Sequence, residues 1–445
     1  MEQIGVWLGQ INGVVWGWPL IILLLGTHLF LTVRLRFIQR HIGKAIRLSL
    51  APRAEGKGDI SHFGALTTAL AATIGTGNIV GVATAVASGG PGAVLWMWLT
   101  GVFGISTKYA EAVLALKYRV VTPSGQMAGG PMYALERGLG MKWLGLLFAL
   151  FTALAAFGIG NMVQANTISR QMHSSFGIPL PATGIVLTVL TAVVILGGIR
   201  SIARVCQALV PFMAIFYVLG CTFILIRGYA TIPATLAQIF HSAFSPDAAV
   251  GGFAGATIKD TIRYGVARGL FSNEAGLGSA PIVAAAAQTR NPVRQALVSS
   301  TGTFWDTVVV CAFTGVVIVN SGVWMGDHDG THLTHAAFGQ IHTIGPLVLT
   351  VGLLTFVFST ILGWSYYGEK AVEYLLGPRA VFPYRLLWVG AVFTGSLVLP
   401  QAVWDFADIM NGLMAVPNLI ALLLLSGVIV AETRRYLWED RLEEE

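Results

Sequence analysis

The stretch TIGTGNIVG, residues 73–81, interrupts an apolar run that is long enough to cross a membrane. A second stretch, FSNEAGLG at residues 271–278, interrupts another long apolar run later in the chain. Glycine weakens a helix through its backbone freedom, and Asn or Glu at membrane depth is costly unless it has a partner. Paired glycine-interrupted helices at matching places in two halves are typical of transporters that bind substrate near the bilayer midplane. Close helix packing through small residues would also explain either stretch alone.

Apolar runs of membrane length recur along almost the whole chain on both sides of these interruptions. Hydrophobic residues make up 55% of the 445 residues and charged residues 11%, whereas an average soluble domain is about 25% charged. The sequence therefore predicts an all-α integral membrane protein. We expect about 11 transmembrane helices, at residues 12–33, 64–88, 91–116, 144–168, 181–199, 205–226, 253–288, 297–320, 345–368, 385–400 and 406–431.

The two interruptions fall in the second and seventh predicted spans, five spans apart. That offset predicts two inverted repeats of five helices each, preceded by one extra N-terminal helix. We expect residues 1–60 to contain the extra helix and a basic cytoplasmic loop. Residues 61–431 would form the transporter core and residues 432–445 a cytoplasmic tail. Within the core, the first repeat would cover about 61–228 and the second about 250–431.

The distribution of Lys and Arg predicts the orientation of the helices. Residues 321–344 contain neither Lys nor Arg. Cytoplasmic loops carry an excess of basic residues, so this pattern places the N-terminus outside and the C-terminus in the cytoplasm. The formal net charge of +6 comes from these short loops, and we expect no nucleic-acid partner. The basic segments are every second connection, at residues 34–57, 117–142, 200–204, 290–294, 370–385 and 434–441.

The residues at and near the interruptions predict a site for a cation and a carboxylate. Unwinding a helix frees carbonyl oxygens, which are ligands for a small hard cation. The resumed helix offers N–H groups to a carboxylate, and Asn78 stands where the helix resumes. The Gln164 amide can donate and accept. Ser359 and Thr360 are adjacent hydroxyls, and Trp364 follows Thr360 by one helical turn on the same face.

These side chains also have structural interpretations, which the sequence leaves open. Gln164 would serve equally well in an interhelical hydrogen bond. Ser359 and Thr360 would commonly donate back to carbonyls of their own helix, and Trp364 would suit a membrane interface.

Other polar residues favour structural roles. Lys108 and Glu111, three apart on one helix, are predicted to pair. Arg268 and Glu274 are candidates for a gate. His328, His332 and His335 have a metal-like spacing, but without a second ligand cluster a solvated loop is the better interpretation. The Cys206, Cys221 and Cys311 thiols show no metal or redox spacing and are predicted to be small buried hydrophobes.

No enzymatic motif is evident, because the chain shows no nucleophile elbow, zinc motif or phosphate-binding loop. We therefore expect a protein that is not an enzyme and needs no cofactor. A channel would require polar residues along one continuous path, which the sequence does not show.

Four stretches resemble the alanine or glycine:cation symporter family. One is GGPGAVLWMW at residues 89–98, followed by TKYAE at 107–111. The others are residues 73–81, GGPMYALE at 129–136 and GLFSNEAGLGSAP at 269–281. The resemblance covers most of residues 60–380.

The resemblance implies a LeuT-type fold in the plasma (inner) membrane and sodium-coupled import of small neutral amino acids, alanine or glycine, by alternating access. Sodium is then the coupling ion, and membrane lipid surrounds the protein. Proton coupling is the alternative, and Glu274 is the one titratable residue that the two interruptions contain. The resemblance assigns the amino-acid site to Gly77, Asn78, Gln164, Phe271, Ser272, Thr360 and Trp364, with Trp364 as a wall of the side-chain pocket. It assigns the sodium site to Thr73, Thr76, Ser359 and Thr360.

Overall fold

The computed structural model describes residues 2–51, 56–245, 257–326, 330–340, 344–398 and 401–444. These residues are almost entirely helical, with one two-stranded hairpin, β1 (Val120–Val121) and β2 (Met127–Ala128). The first half contains α1 (Glu2–Val15), α2 (Trp18–Arg34), α3 (Ile42–Ser49), α4 (His62–Thr73), α5 (Val82–Gly89), α6 (Ala93–Lys117), α7 (Pro131–Tyr133), α8 (Lys142–Phe157), α9 (Val163–Phe176), α10 (Leu180–Ile195) and α11 (Gly198–Arg227). The second half contains α12 (Ile232–Phe244), α13 (Ile258–Asn273), α14 (Pro281–Ala284), α15 (Pro292–Thr303), α16 (Ala312–Ser321), α17 (Gly330–Gly339), α18 (Ile344–Leu376), α19 (Val381–Leu397), α20 (Gln401–Leu424) and α21 (Ser426–Thr433).

Membrane-length helices account for most of the predicted spans. Within the described residues, seven helices are long and apolar enough to cross a membrane, or eight if α4 and α5 are one bent span. The three other predicted spans coincide with helices that do not meet these requirements for length and apolar character. Helix α6 carries Lys108, Glu111 and Lys117, α10 has only 16 residues, and α13 is separated from α14 by a break. The count of 11 therefore stays a prediction, and the all-helical membrane architecture is confirmed.

The first interruption is a true break. Helix α4 ends at Thr73, a π-helical turn covers Gly77–Gly81, and the two halves are bent by 54°. The Gly75 N–H, which would continue the helix by bonding to the Ala71 carbonyl, donates instead to Asn78 Oδ1 at 2.9 Å. A side chain in the break thus replaces a main-chain bond, which leaves carbonyls of the last turn without helical partners.

The second interruption is a longer break between α13 and α14. Glu274 takes a left-handed conformation with φ of 56°, and Gly276 and Gly278 follow with φ of 89° and 87°. The Glu111 carboxylate of α6 holds this loop because its Oε1 accepts from the N–H groups of Gly276 and Gly278 at 3.0 and 3.1 Å. Lys108 Nζ donates to the Asn273 carbonyl at 2.7 Å.

The prediction that Lys108 pairs with Glu111 is therefore wrong for a direct ion pair. Each side chain reaches the second break and bonds to its main chain, and no direct ion pair joins the two among the described residues. Because both groups are buried, their bonds to the loop satisfy charges that would otherwise be costly at this depth.

The extra N-terminal segment packs on the N-terminal end of α20. Trp16 Nε1 donates to the Asp408 carbonyl at 3.0 Å, and Asn12 Nδ2 donates to Asp405 Oδ1 at 3.3 Å. Short helices α12 and α17 lie in connections between the predicted spans. They are too short to show the apolar run length on which span prediction depends.

Candidate functional site

Asn78 lies at the centre of the candidate site, where it links the first break to the eighth predicted span. Its Oδ1 accepts from the Gly75 N–H, and its Nδ2 donates to Asp306 Oδ1 at 2.7 Å. The side chain is fully buried. Both ends of the amide are thus used, which fixes its orientation and ties the break to the segment 304–311.

Asp306 connects both breaks. Its second oxygen, Oδ2, accepts from the Ser272 hydroxyl at 2.9 Å and from the Thr307 hydroxyl at 2.7 Å. Because Ser272 lies in the last turn of α13, one carboxylate contacts a residue from each interrupted helix. Asp306 is fully buried and forms no ion pair with another described residue. An unpaired acid at membrane depth is typical of an ion or proton pathway.

Sequence reasoning missed Asp306. Glu274 is the one titratable residue within the two interruptions, but Asp306 contacts both of them from another helix. The available signal was a lone acidic residue inside the apolar run 297–320. Cys311 belongs to the same cluster, with its sulfur 3.3 Å from Asn78 Nδ2 and 3.2 Å from Ser272 Oγ.

A second cluster of oxygen atoms lies where α18 passes the end of α4. Ser359 Oγ is 3.3 Å from the Ala71 carbonyl oxygen, and Thr360 Oγ1 is 3.2 Å from the Ile74 carbonyl oxygen. Both hydroxyls also reach the Phe356 carbonyl, at 2.8 and 2.9 Å. Donation back to Phe356 leaves the lone pairs of both hydroxyls free to accept. Each hydroxyl–carbonyl pair thus offers two oxygen atoms of the kind that a small hard cation binds.

The two threonines at the first break, Thr73 and Thr76, have different hydrogen-bond partners. Thr73 donates back to its own helix, at the carbonyls of Ala69 and Leu70. Thr76 lies beside Gln164, whose Nε2 donates to Thr76 Oγ1 at 3.2 Å and to the Ile159 carbonyl at 2.9 Å. Gln164 Oε1 accepts from the Thr76 N–H at 3.4 Å. Gln164 therefore contacts the first break from the first turn of α9, directly after the π-helical turn Gly158–Met162.

Small residues bring two aromatic rings close to the breaks. A Cβ on Gly160 would overlap the Trp364 side chain, so glycine lets this buried indole lie against the fourth span. A Cβ on Gly77 would lie 3.2 Å from Phe271 Cδ1, so the Phe271 ring packs on the first break. Trp364 also meets Tyr367 edge-to-face, with ring centroids 5.4 Å apart. The structure thus brings both predicted aromatic residues to the region of the breaks.

The remaining candidate residues make other contacts. Glu274 accepts a short hydrogen bond from Ser279, whereas Arg268 lies over the Phe271 ring at 5.8 Å. His335 Nε2 is 2.7 Å from Gln171 Oε1, which joins α17 to α9. The predicted solvated loop is wrong for His332 and His335, which lie in helix α17, and His328 lies outside the described residues.

Comparison with known proteins gives a consistent result along the whole chain. A family model described as the sodium:alanine symporter family matches residues 1–445. The chain is 54% identical to the sodium/alanine symporter AgcS of Methanococcus maripaludis, over 96% of each protein. It is 36% identical to the probable sodium/glutamine symporter GlnT of Bacillus subtilis, over 96% of this chain and 90% of that protein.

Solved structures with low sequence identity share the fold. A crystal structure of MhsT in complex with L-phenylalanine superposes with a TM-score of 0.61 at 14% identity, over 87% of this chain and 95% of that chain. A manganese transporter from Eremococcus coleocola gives a TM-score of 0.52 at 14% identity, over 85% and 82% of the two chains. The predicted LeuT-type fold is confirmed.

Proposed function

Because this chain belongs to the sodium:alanine symporter family, we propose that it imports alanine or glycine together with sodium by alternating access. It is a transporter rather than an enzyme, located in the plasma (inner) membrane, and sodium is the coupling ion. The observation that carries the proposal is the meeting of both helix breaks around buried polar groups. Asn78 and Ser272 both donate hydrogen bonds to the Asp306 carboxylate. The Ser359 and Thr360 hydroxyls lie 3.3 and 3.2 Å from the Ala71 and Ile74 carbonyl oxygens, respectively.

The amino acid binds between the two breaks. Gln164, Asn78 and the main-chain N–H groups of the first break provide donors for the substrate carboxylate. Acceptors for the ammonium group come from freed carbonyls and from Asp306. Trp364 and Phe271 limit the space around the side chain, which supports a small substrate. Gly77 and Ser272 contribute main chain and a hydroxyl at the two breaks.

Sodium binds between α4 and α18. Its ligands are the Ala71 and Ile74 carbonyls with the Ser359 and Thr360 hydroxyls, and Thr73 and Thr76 stay predictions from the resemblance. Binding there links the first break to a long rigid helix, so the ion favours the arrangement in which the break also binds the amino acid. Such a shared conformation is what coupling requires. Inward movement of one sodium ion supplies about 2.3 kcal/mol per 100 mV, in addition to its concentration gradient.

We expect Thr360→Ala to raise the sodium concentration needed for half-maximal alanine uptake by about tenfold. The substitution removes one of four oxygen ligands, and tenfold corresponds to about 1.4 kcal/mol. Uptake into proteoliposomes at varied sodium concentration measures the effect. Thr355→Ala is the matched control, because within the described part of the chain this buried threonine of α18 donates only to Val351 and Gly352 of its own helix. Equal sodium dependence in the two variants would remove Thr360 from the ion site.

We propose that the N-terminus lies outside and the C-terminus in the cytoplasm. The three native cysteines are buried, so a single introduced cysteine reports its own side of the membrane. Met325→Cys, at a side chain that is 52% exposed, should react in intact cells with a membrane-impermeant thiol reagent. Arg379→Cys, also exposed, should react only after the cells are opened. The opposite labelling pattern would reverse the orientation.

Asp306 favours proton-coupled import as a second candidate function. A carboxylate that contacts both breaks can carry a proton between the two sides of the membrane as the breaks rearrange. Sodium and proton gradients imposed separately on proteoliposomes decide between the two coupling ions.

A further inference from the structure

An apolar groove of about 550 Å³ lies on the side of the helix bundle, between α4, α11 and the segment 304–311. Helix α3 covers one end of it, beside the start of α4. Ser49 and Thr67 bring hydroxyls to its wall, but these donate to the Ile46 and Phe63 carbonyls of their own helices at 2.7 and 2.9 Å. The groove therefore suits an apolar molecule.

The groove has about the length of one leaflet of a bilayer's hydrocarbon core. Along α4 it extends from Phe63, in the first turn, to Ile74, directly after the last turn. At about 1.5 Å per residue this is about 16 Å, and half of a hydrocarbon core of about 30 Å is about 15 Å. Leu50, Ile215 and Leu219 of its wall are exposed, so a lipid acyl chain can enter the groove from the side.

Arg204 of α11 marks the end of the groove that α3 covers. It precedes Pro211 by about two turns, so both residues lie on one face of α11, and Pro211 lines the groove. A Cβ on Gly64 would lie 3.6 Å from Ala203 Cβ. This contact puts the neighbouring Arg204 at the level of the first turn of α4. In the proposed orientation, this end of the groove faces the cytoplasm.

Arg47 of α3 adds a second cation at the same end, one turn before Leu50. Both Arg47 and Arg204 are exposed. Within the described part of the chain, neither guanidinium forms a hydrogen bond or an ion pair. Basic pockets between transmembrane helices on the cytoplasmic side bind anionic lipid headgroups. The charge at this end of the groove therefore complements an anionic headgroup.

We propose that this groove binds one anionic phospholipid of the cytoplasmic leaflet. An acyl chain lies along α4 and α11, and the phosphate contacts Arg204 and Arg47, because guanidinium groups bind phosphate oxygens with paired N–H donors.

The bound lipid would also affect transport, because the groove shares a wall with the proposed sodium site. Ile74 lines the groove, and its carbonyl is a proposed sodium ligand. An acyl chain beside Ile74 would favour the arrangement of the first break that binds sodium. This consequence rests on the proposed function, whereas lipid binding itself does not.

The test compares two phospholipids that have the same acyl chains and different headgroups. Protein stripped of lipid in detergent is titrated with dioleoylphosphatidylglycerol or dioleoylphosphatidylcholine, and native mass spectrometry counts the lipids bound per chain. Each basic residue beside an anionic lipid strengthens binding by about fivefold. We therefore expect the first phosphatidylglycerol molecule to bind about 25-fold more tightly than the first phosphatidylcholine molecule.

Two variants separate the headgroup contact from the acyl-chain contact. Arg204→Gln should weaken phosphatidylglycerol binding about fivefold. Arg227→Gln is its control, because Arg227 is also exposed and lies at the opposite end of α11. Ala214→Phe should weaken binding at least about tenfold, because the added ring fills the groove that Ala214 lines. Ala182→Phe, in a different apolar groove beside α10, is the matched control.

Uptake measurements then test the effect on sodium. In proteoliposomes, phosphatidylglycerol should lower the sodium concentration for half-maximal alanine uptake relative to phosphatidylcholine, and Ala214→Phe should remove this difference. Equal affinity for the two lipids, or phosphatidylglycerol binding that Arg204→Gln leaves unchanged, would refute the lipid site even if Ala214→Phe does not fold. A dimer that Ala214→Phe converts to monomers, without lipid preference, would show that a second copy of the chain covers the groove and would also overturn the proposal. Specific lipid binding without alanine uptake in either lipid would instead contradict the proposed function and support the lipid site.

Discussion

Asp306→Asn is expected to lower sodium-driven alanine uptake by at least about 100-fold while the protein still folds. Asparagine keeps the shape of the side chain and one acceptor oxygen, and the hydroxyls of Ser272 and Thr307 can turn to accept from its new N–H groups. What is lost is the one negative charge that contacts both breaks. A factor of 100 corresponds to about 2.7 kcal/mol, which is reasonable for a charged group that faces a cation in a site of low dielectric constant.

The control for this variant is another buried acid with a clear structural role. Glu432 accepts from Lys117 at 2.6 Å near the end of the last span. Glu432→Gln breaks this ion pair and should reduce stability without changing the coupling ion. Uptake by both variants is measured in proteoliposomes under sodium gradients and under proton gradients. Unchanged sodium-driven uptake in Asp306→Asn would contradict a role for the charge in binding the ammonium group of the substrate. Loss of proton-driven uptake alone would support the second candidate function.

The helix breaks could be predicted from the sequence because their chemistry is local. Glycine and asparagine within an apolar run weaken the helix at that point, whatever surrounds it. The structure shows the predicted consequence at residues 73–81, where the Asn78 side chain replaces a main-chain hydrogen bond. The second break, within 271–278, is also where predicted, with Glu274 and two glycines in left-handed conformations.

The partners of the breaks could not be predicted, because they depend on packing between distant helices. Asp306 is 228 positions from Asn78, and its run of apolar neighbours does not reveal which helix face meets the breaks. Lys108 and Glu111 illustrate the same limit. Their spacing on one helix predicted a pair, yet each side chain finds a better partner in the main chain of the second break. The spacing of two residues on one helix does not show whether a distant segment of the fold provides a better hydrogen-bond partner.

Gln164→Ala is expected to weaken alanine binding about tenfold, and Asn78→Ala by tenfold or more. Hydrogen bonds to charged groups contribute about 1.5–3 kcal/mol, or roughly 10- to 150-fold. Asn78 belongs to the first break and Gln164 contacts it from α9, and both amides form hydrogen bonds within the protein. Asn78→Ala also leaves the Gly75 N–H and one Asp306 oxygen without this partner, so we expect it to lower stability as well as affinity. Gln164 is therefore the cleaner test of a binding role.

The same turn of the fourth span provides the comparison that decides between binding and packing. Asn161 is a buried amide three residues before Gln164, and its Nδ2 donates to the Trp388 carbonyl of α19 at 2.9 Å. Asn161→Ala removes an interhelical hydrogen bond and should lower thermal stability while alanine affinity stays near normal. Gln164→Ala should show the opposite pattern when both quantities are measured on the same purified proteins. If Gln164→Ala behaves like Asn161→Ala, Gln164 joins helices and does not bind substrate, because loss of a substrate contact cannot leave affinity unchanged.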